Sequence, residues 1–140
     1  MPNVIPFKTI ELDSNSFHPI LTGRVGDKEL TLILDTGASR TVLGKHITEG
    51  YPIVQNEISE AFAAGVNAQT MEVEPIEIPE LTIGDCTFNN MLVFSTNLNG
   101  ISDLYQKMAG ISIDGLIGCD FMVKYKATIN FKMRKIILYT

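Results

Sequence analysis

Cysteine and histidine are scarce in this chain, two of each in 140 residues. Cys86 and Cys119 cannot build a disulfide framework, and neither is followed by a His or Cys at zinc-ligand spacing, so structural thiols and no metal site are expected. His18, just before Pro19, and His46 have no partner at ligand or triad spacing. Surface or local packing roles are expected for both, which leaves the serines without a base and removes serine nucleophiles from consideration. Positive charge is thin as well: eleven Lys and Arg stand against sixteen Asp and Glu, a net charge of −5. The one basic cluster, Lys132, Arg134 and Lys135, reads as a solvated hairpin tip, so nucleic acid is not an expected partner. No apolar run approaches the ~20 residues of a membrane span, and residues 1–9 have neither the basic start nor the apolar core of a signal peptide. No membrane partner is expected, and a cytoplasmic location is the default. No break in composition divides the chain, so one domain covering 1–140 is expected.

What the chain does have is an apolar run that ends abruptly in an acid, the stretch TLILDTGASRTVL at 31–43. Leu30, Leu32 and Leu34 share one face of an extended segment and Thr31 and Ile33 the other, so both faces are expected to be covered. Asp35 follows directly. Gly37 then supplies the freedom to turn, and Ala38 and Ser39 keep the next positions small. Asp and Gly are ordinary turn residues, but a carboxylate at the end of a buried strand loses part of its hydration, which is costly unless the acid is used or paired.

A second element lies far downstream, where Gly115-Leu116-Ile117-Gly118 runs into Cys119-Asp120-Phe121-Met122. A hydrophobic strand entering Asp35-Thr36-Gly37-Ala38-Ser39-Arg40-Thr41-Val42-Leu43, followed at a distance by Gly115–Gly118, resembles the retropepsin-like aspartic proteases over roughly residues 18–131. The resemblance implies an all-β fold, a closed acid-protease barrel with one or two short helices and a flap hairpin. It also implies an aspartic endopeptidase that needs no cofactor and acts on a peptide or protein substrate. Single-domain members carry one Asp motif per chain and dimerise to pair two acids; this chain has one motif, so a homodimer is implied, with Asp35 from each protomer. Two carboxylates so close cannot both ionise: the charged one takes a proton from water, and the protonated one donates to the substrate carbonyl. In the family, the residue at Thr36 bonds across the dimer axis, the Gly37 carbonyl receives substrate backbone, and Ala38 and Ser39 contribute to substrate binding. Leu116, Ile117 and Gly118 are implied as supports beneath Asp35.

The rest reads as short strands. Residues 4–12 suit an N-terminal edge or dimer strand, and residues 18–34 a hairpin about Gly26-Asp27. Residues 44–50 suit a turn or short helix. Residues 53–78 read as a long hairpin with a small-residue tip at 63–68. On the resemblance this is the flap, with Ala64, Gly65 and Val66 as substrate-binding residues, since a tip must bring backbone close to substrate. The apolar phase slips between Val73 and Ile76, and Pro75 suggests a bulge or strand break there. Residues 98–110 have helical spacing ending at Gly110, Asp120 is placed to cap a short helix, and 127–139 form a terminal hairpin. The retroviral enzymes carry an Asp two residues after the motif glycine, paired with an Arg after the second motif. Here Ser39 and Cys119 stand at those positions, so that ion pair is absent. The alternative reading is a peptide-binding or dimerisation module that keeps the fold without significant catalysis.

Overall fold

The computed structural model describes residues 2–54 and 73–139. Its strands are β1 (Pro2–Pro6), β2 (Lys8–Asp13), β3 (Ser16–Val25), β4 (Lys28–Leu34), β5 (Val42–Gly44), β6 (Glu74–Ile83), β7 (Cys86–Thr96), β8 (Gly115–Ile117), β9 (Thr128–Asn130) and β10 (Lys135–Tyr139). Among the described residues three helices join them: α1 (Lys45–Thr48), α2 (Asn99–Ala109) and α3 (Cys119–Lys124).

The hairpin expected at 18–34 is present, turning at Gly26-Asp27 with Val25 opposite Lys28 and Ile20 opposite Ile33. From it a seven-stranded sheet grows in the order β2-β3-β4-β8-β5-β7-β6, and a further β3–β6 pairing closes six of the strands into a barrel. The seam is tight. A Cβ on Gly23 would stand 2.7 Å from the Thr82 carbonyl oxygen, so β6 reaches β3 only because the side chain there is absent. β1, β10 and β9 form a separate three-stranded sheet, whose Ile5, Ile136 and Leu138 join the main core. The expected N-terminal edge segment is thus two strands in two sheets, parted at Phe7, whose N–H donates to the Arg134 carbonyl at 2.9 Å.

Both faces of β4 are covered, as its unbroken apolar run implies. Leu30, Leu32 and Leu34 enter the main core, and Ile33 packs on the opposite side with Ile20, Tyr105 and Ile113. Burying each of these side chains stabilises the fold by roughly 1.5–3 kcal/mol, which is why the strand that carries Asp35 is anchored along its length.

The bulge expected at Pro75 is not there. β6 runs through Pro75, paired with Phe94, in register with its neighbours on both sides. The change of phase falls later, at Pro79: Ile76 and Ile78 are buried before it and Leu81 and Ile83 after it. The opposite strand flips at the same level, from Phe88 to Met91, with Asn90 at φ 52°. A proline without an N–H faces a residue in the left-handed region, so the two-stranded ribbon turns over as a unit and bends around the barrel. Of the long hairpin expected at 53–78, Ile53 bridges Ile76, while its tip, with Ala64, Gly65 and Val66, lies outside the described residues.

Helix α2 ends at Gly110, φ 71°, as its sequence implies. The terminal hairpin is β9–β10, with Asn130 opposite Lys135. Gly118, not Asp120, occupies the N-cap of α3. Asp120 lies inside the first turn, because its carboxylate is held there by Thr41, as described below.

Candidate active site

Asp35 is the first residue beyond β4, and its position is set by the second motif. β8 lies parallel to β4 with Leu32, Ile33 and Leu34 opposite Gly115, Leu116 and Ile117, and the Asp35 N–H extends the ladder by donating to the Ile117 carbonyl at 2.9 Å. The chain then turns tightly. Ala38 N–H donates to the Asp35 carbonyl at 3.1 Å, and Gly37 N–H donates to the carboxylate Oδ1 at 2.9 Å. Asp35 is half-buried, Thr36, Gly37 and Ser39 are exposed, and Ala38 is half-buried. The three catalytic candidates therefore share one exposed turn, with the carboxylate oriented by backbone.

The support from below is equally specific. Cys119 N–H donates to the Ala38 carbonyl at 2.8 Å and Asp120 N–H to the Ser39 carbonyl at 3.2 Å. The Cys119 thiol donates to the Thr36 carbonyl at 3.1 Å. So Ser39 and Cys119, where the viral enzymes carry an ion pair, still belong to one junction built from main-chain bonds. Gly118 is packed into it: a Cβ there would lie 2.6 Å from the Arg40 carbonyl carbon and oxygen and 2.8 Å from the Ala38 oxygen. Of the other supports, Ile117 is fully buried, and Leu116 is half-buried between Ile33 and Val42.

Three residues matter here whose roles sequence reasoning did not single out. Thr41 is fully buried; its hydroxyl accepts the Gly118 N–H at 3.1 Å and donates to Asp120 Oδ1 at 2.9 Å, which also accepts the Phe121 N–H at 2.8 Å. Asp114 accepts the Thr31 N–H on Oδ2 at 2.8 Å and faces His46 Nε2 with Oδ1 at 2.8 Å, so the residue just before β8 ties β4 to α1. The third is Tyr105, whose hydroxyl meets His18 Nδ1 at 3.1 Å. With that hydroxyl donating, the ring's Nε2–H is left for Ser16 Oγ at 3.3 Å. Only the helical spacing of 98–110 hinted at Tyr105, and nothing local marked its partner.

A cavity of about 480 Å3 opens beside Asp35 and Thr36, within the range of ~300–1,000 Å3 of ligand sites. Phe17, His18, Ile33 and Leu116 line it from the sheet, and Ile101, Leu104 and Tyr105 from α2. Burial holds the Tyr105 phenol above its ordinary value of 10.0, and the negative charge of Asp35 adds to the effect, so its hydroxyl keeps its proton through the neutral range. Asp35 is the only carboxylate among the described residues that line this cavity. A larger cavity of about 610 Å3, bordered by Thr22, Arg24, Glu29 and Thr82, involves neither motif. Among the described residues no group of three or more His, Cys, Asp or Glu could hold a metal ion, and no helix is long and apolar enough to cross a membrane.

A family model described as aspartyl protease matches residues 21–121, which span both motifs. No curated protein sequence matches the chain. Among solved structures the chain is similar to a retropepsin-like aspartic protease from Rickettsia conorii, at 18% identity over 99% of this chain and 90% of that one, with a TM-score of 0.48. It is also similar to the retroviral protease-like domain of Ddi1 from Leishmania major, at 14% identity over 85% of this chain and 86% of that one, with a TM-score of 0.54. The second likeness establishes the retropepsin-like fold.

Proposed function

The chain belongs to the aspartyl protease family, and from that premise we propose that it is an aspartic endopeptidase whose catalytic pair is Asp35 from each of two protomers. One observation carries the reading: a half-buried carboxylate stands at the mouth of a mostly apolar cavity, oriented by Gly37 N–H at 2.9 Å, with no second carboxylate in that cavity among the described residues. General acid–base hydrolysis of an amide needs both a base and an acid in the same step. A two-fold axis between two exposed Asp35 turns supplies the missing group from an identical surface.

In that dimer the ionised Asp35 takes a proton from water as its oxygen bonds to the scissile carbonyl carbon. The protonated Asp35 of the other protomer gives its proton to the carbonyl oxygen. Collapse of the tetrahedral intermediate breaks the C–N bond, and the amine leaves with a proton returned through the pair. Thr36, exposed at the turn, pairs with its counterpart across the axis, Gly37 offers its carbonyl to substrate backbone, and Ala38 and Ser39 flank the bound peptide. Ala64, Gly65 and Val66 are assigned to the flap that covers it.

The test is cleavage of a mixed peptide library at several pH values. Asp35→Asn removes ionisation at nearly constant volume, so it should abolish turnover while leaving the melting temperature and association state unchanged. Specific activity should fall on dilution through the dimer dissociation constant, and excess Asp35→Asn chains should suppress wild-type activity beyond simple dilution. A fully active monomer, or turnover retained in Asp35→Asn, refutes the shared-acid mechanism; a folded dimer that binds peptides without cleaving any would be a binding module.

A further inference from the structure

Charge is distributed unevenly along this chain. Residues 121–140 hold five cations, Lys124, Lys126, Lys132, Arg134 and Lys135, and no Asp or Glu. Six cations against sixteen acids remain elsewhere, a net −10 beside the +5 of this segment. The fold gathers the segment, with β1, into the three-stranded sheet. Ile136 and Leu138 of β10 and Ile5 of β1 enter the main core, so the alternate residues of these strands point outward. On that outer side Val4 stands opposite Ile137, and Pro2 and Pro6 stand opposite Tyr139 and Lys135. Val4 is 48% and Tyr139 49% exposed, which leaves an apolar face in contact with solvent. Cations stand at both of its ends. Lys132, Arg134 and Lys135 belong to the β9–β10 turn, where the Arg134 carbonyl accepts the Phe7 N–H at 2.9 Å. Lys124 and Lys126 flank Tyr125, whose carbonyl accepts the Tyr139 N–H at 2.8 Å at the opposite end. Among the described residues no carboxylate pairs with any of the five. Met133, between Lys132 and Arg134, is 59% exposed, so the solvated tip read from the sequence presents a large apolar side chain as well.

We propose that the outer face of this sheet, together with the β9–β10 turn, is a peripheral docking surface for an anionic lipid bilayer. Val4, Met133, Ile137 and Tyr139 enter the headgroup boundary, and the cations at either end meet the lipid phosphates and carboxylates. The combination selects the partner. Surfaces that lie on a membrane bind through buried apolar area plus attraction of Lys and Arg to anionic lipid, and a tyrosine, apolar in its ring and polar at its tip, suits the interface between the two. Charge decides the orientation: a chain of net −5 is drawn to an anionic surface only by a side that carries cations without acids. Nucleic acid would engage the cations through its phosphates and leave the apolar centre between them uncovered. The lack of a spanning helix among the described residues does not bear on a surface that rests on the bilayer without crossing it. The same turn carries Phe131, which lines the cavity at Asp35, so docking would hold the candidate cleft near the bilayer.

The test is co-sedimentation of the full chain with vesicles of phosphatidylcholine alone and of phosphatidylcholine with about 30% phosphatidylserine, at about 0.1 M and about 1 M salt. The chain should bind the serine-containing vesicles, ignore the others, and be released at the higher salt. Lys132→Gln, Arg134→Gln and Lys135→Gln combined should weaken binding about 100-fold, at about five-fold per cation beside such a surface. Lys132 and Arg134 are exposed and Lys135 is half-buried, so the triple variant should melt with the wild type. The chain has no Trp, which makes Met133→Trp a clean probe: its emission should shift to the blue when serine-containing vesicles are added, as an indole does on entering the headgroup region. Equal binding to the two vesicle types, undiminished binding by the triple variant, or an unmoved emission from Met133→Trp overturns the proposal. Tight binding to soluble polyglutamate with none to vesicles overturns it too, and would make the face a docking site for acidic protein. Binding is measured without turnover, so this proposal and the endopeptidase reading fail separately.

Discussion

Gly118→Ala is the smallest change that should dismantle the site from outside it. The added Cβ would meet the Arg40 carbonyl carbon and oxygen at 2.6 Å and the Ala38 oxygen at 2.8 Å. These are backbone atoms and cannot swing aside as a flexible side chain would. Gly118 has φ −100° and ψ −175°, extended backbone open to alanine, so the whole cost is steric. Overpacking of this kind typically costs about 1–3 kcal/mol. Relieving it by separating the two segments stretches Gly118 N–H to Thr41 at 3.1 Å and Cys119 N–H to Ala38 at 2.8 Å, each worth about 0.5–1.5 kcal/mol. The sum is about 2–6 kcal/mol, which at about 3 °C per kcal/mol should lower Tm by about 6–18 °C in a chain of this size. A shift of the Asp35 turn on the order of 1 Å should also cut kcat/KM by about 100-fold. Thermal melts followed by circular dichroism, beside initial rates on one cleaved peptide, read both effects. Gly100→Ala is the control: nothing lies within 4 Å of a Cβ there, and alanine in a helix should be neutral or stabilising by roughly 0.5–1 kcal/mol. If Gly118→Ala melts within a degree of wild type with unchanged kcat/KM, the packing argument for the second motif is wrong.

Ala38→Ser would place a hydroxyl beside the Asp35 carboxylate; donation to the charged form should move the acidic limb of the pH–rate profile downward, and an unmoved or upward-shifted limb counts against the assignment. Tyr105 gives an alkaline prediction with a definite sign. Its phenol is raised in the folded chain by burial and by Asp35, so its stabilising contribution is complete below the unfolded value of about 10 and is lost as pH rises through the folded one. Urea melts should therefore show wild-type stability falling more steeply above about pH 10 than that of Tyr105→Phe, which should itself be weaker by about 0.5–1.5 kcal/mol at neutral pH for want of the hydroxyl bond; parallel pH dependences would refute the burial account.

Much of this was readable before any coordinates, for reasons that differ by element. The unbroken apolar run before Asp35 demanded a strand covered on both faces, and the main core and the Ile33–Tyr105–Ile113 cluster cover it. The two motifs were legible as a pair because each is short and chemically constrained, whereas several of their mutual bonds join main-chain atoms that carry no residue signature. Pro75 misled because a proline marks only where a ladder N–H is missing; the turnover of the ribbon needed a partner as well, and Asn90 in the left-handed region supplied it opposite Pro79. Asp120 looked like a cap because capping is local, but a buried Thr41 far back in the chain claims its carboxylate. His18 and Tyr105 are 87 residues apart, and no local pattern announces such a pair.

The three residues of β8 carry a consequence for the life of the molecule. They lie between β4 and β5, so the turn that holds Asp35 is completed by contacts reaching 77 residues from Thr41 to Gly118 and 83 from Thr36 to Cys119. Closing so long a span costs chain entropy that local contacts do not repay, which makes such pairings slow to form. On a ribosome, Asp35 emerges long before Ile117, and during that interval the acid has neither a ladder partner nor a floor. In a chain made this way the Asp35 turn cannot take its final shape until the residues through Cys119 have been made.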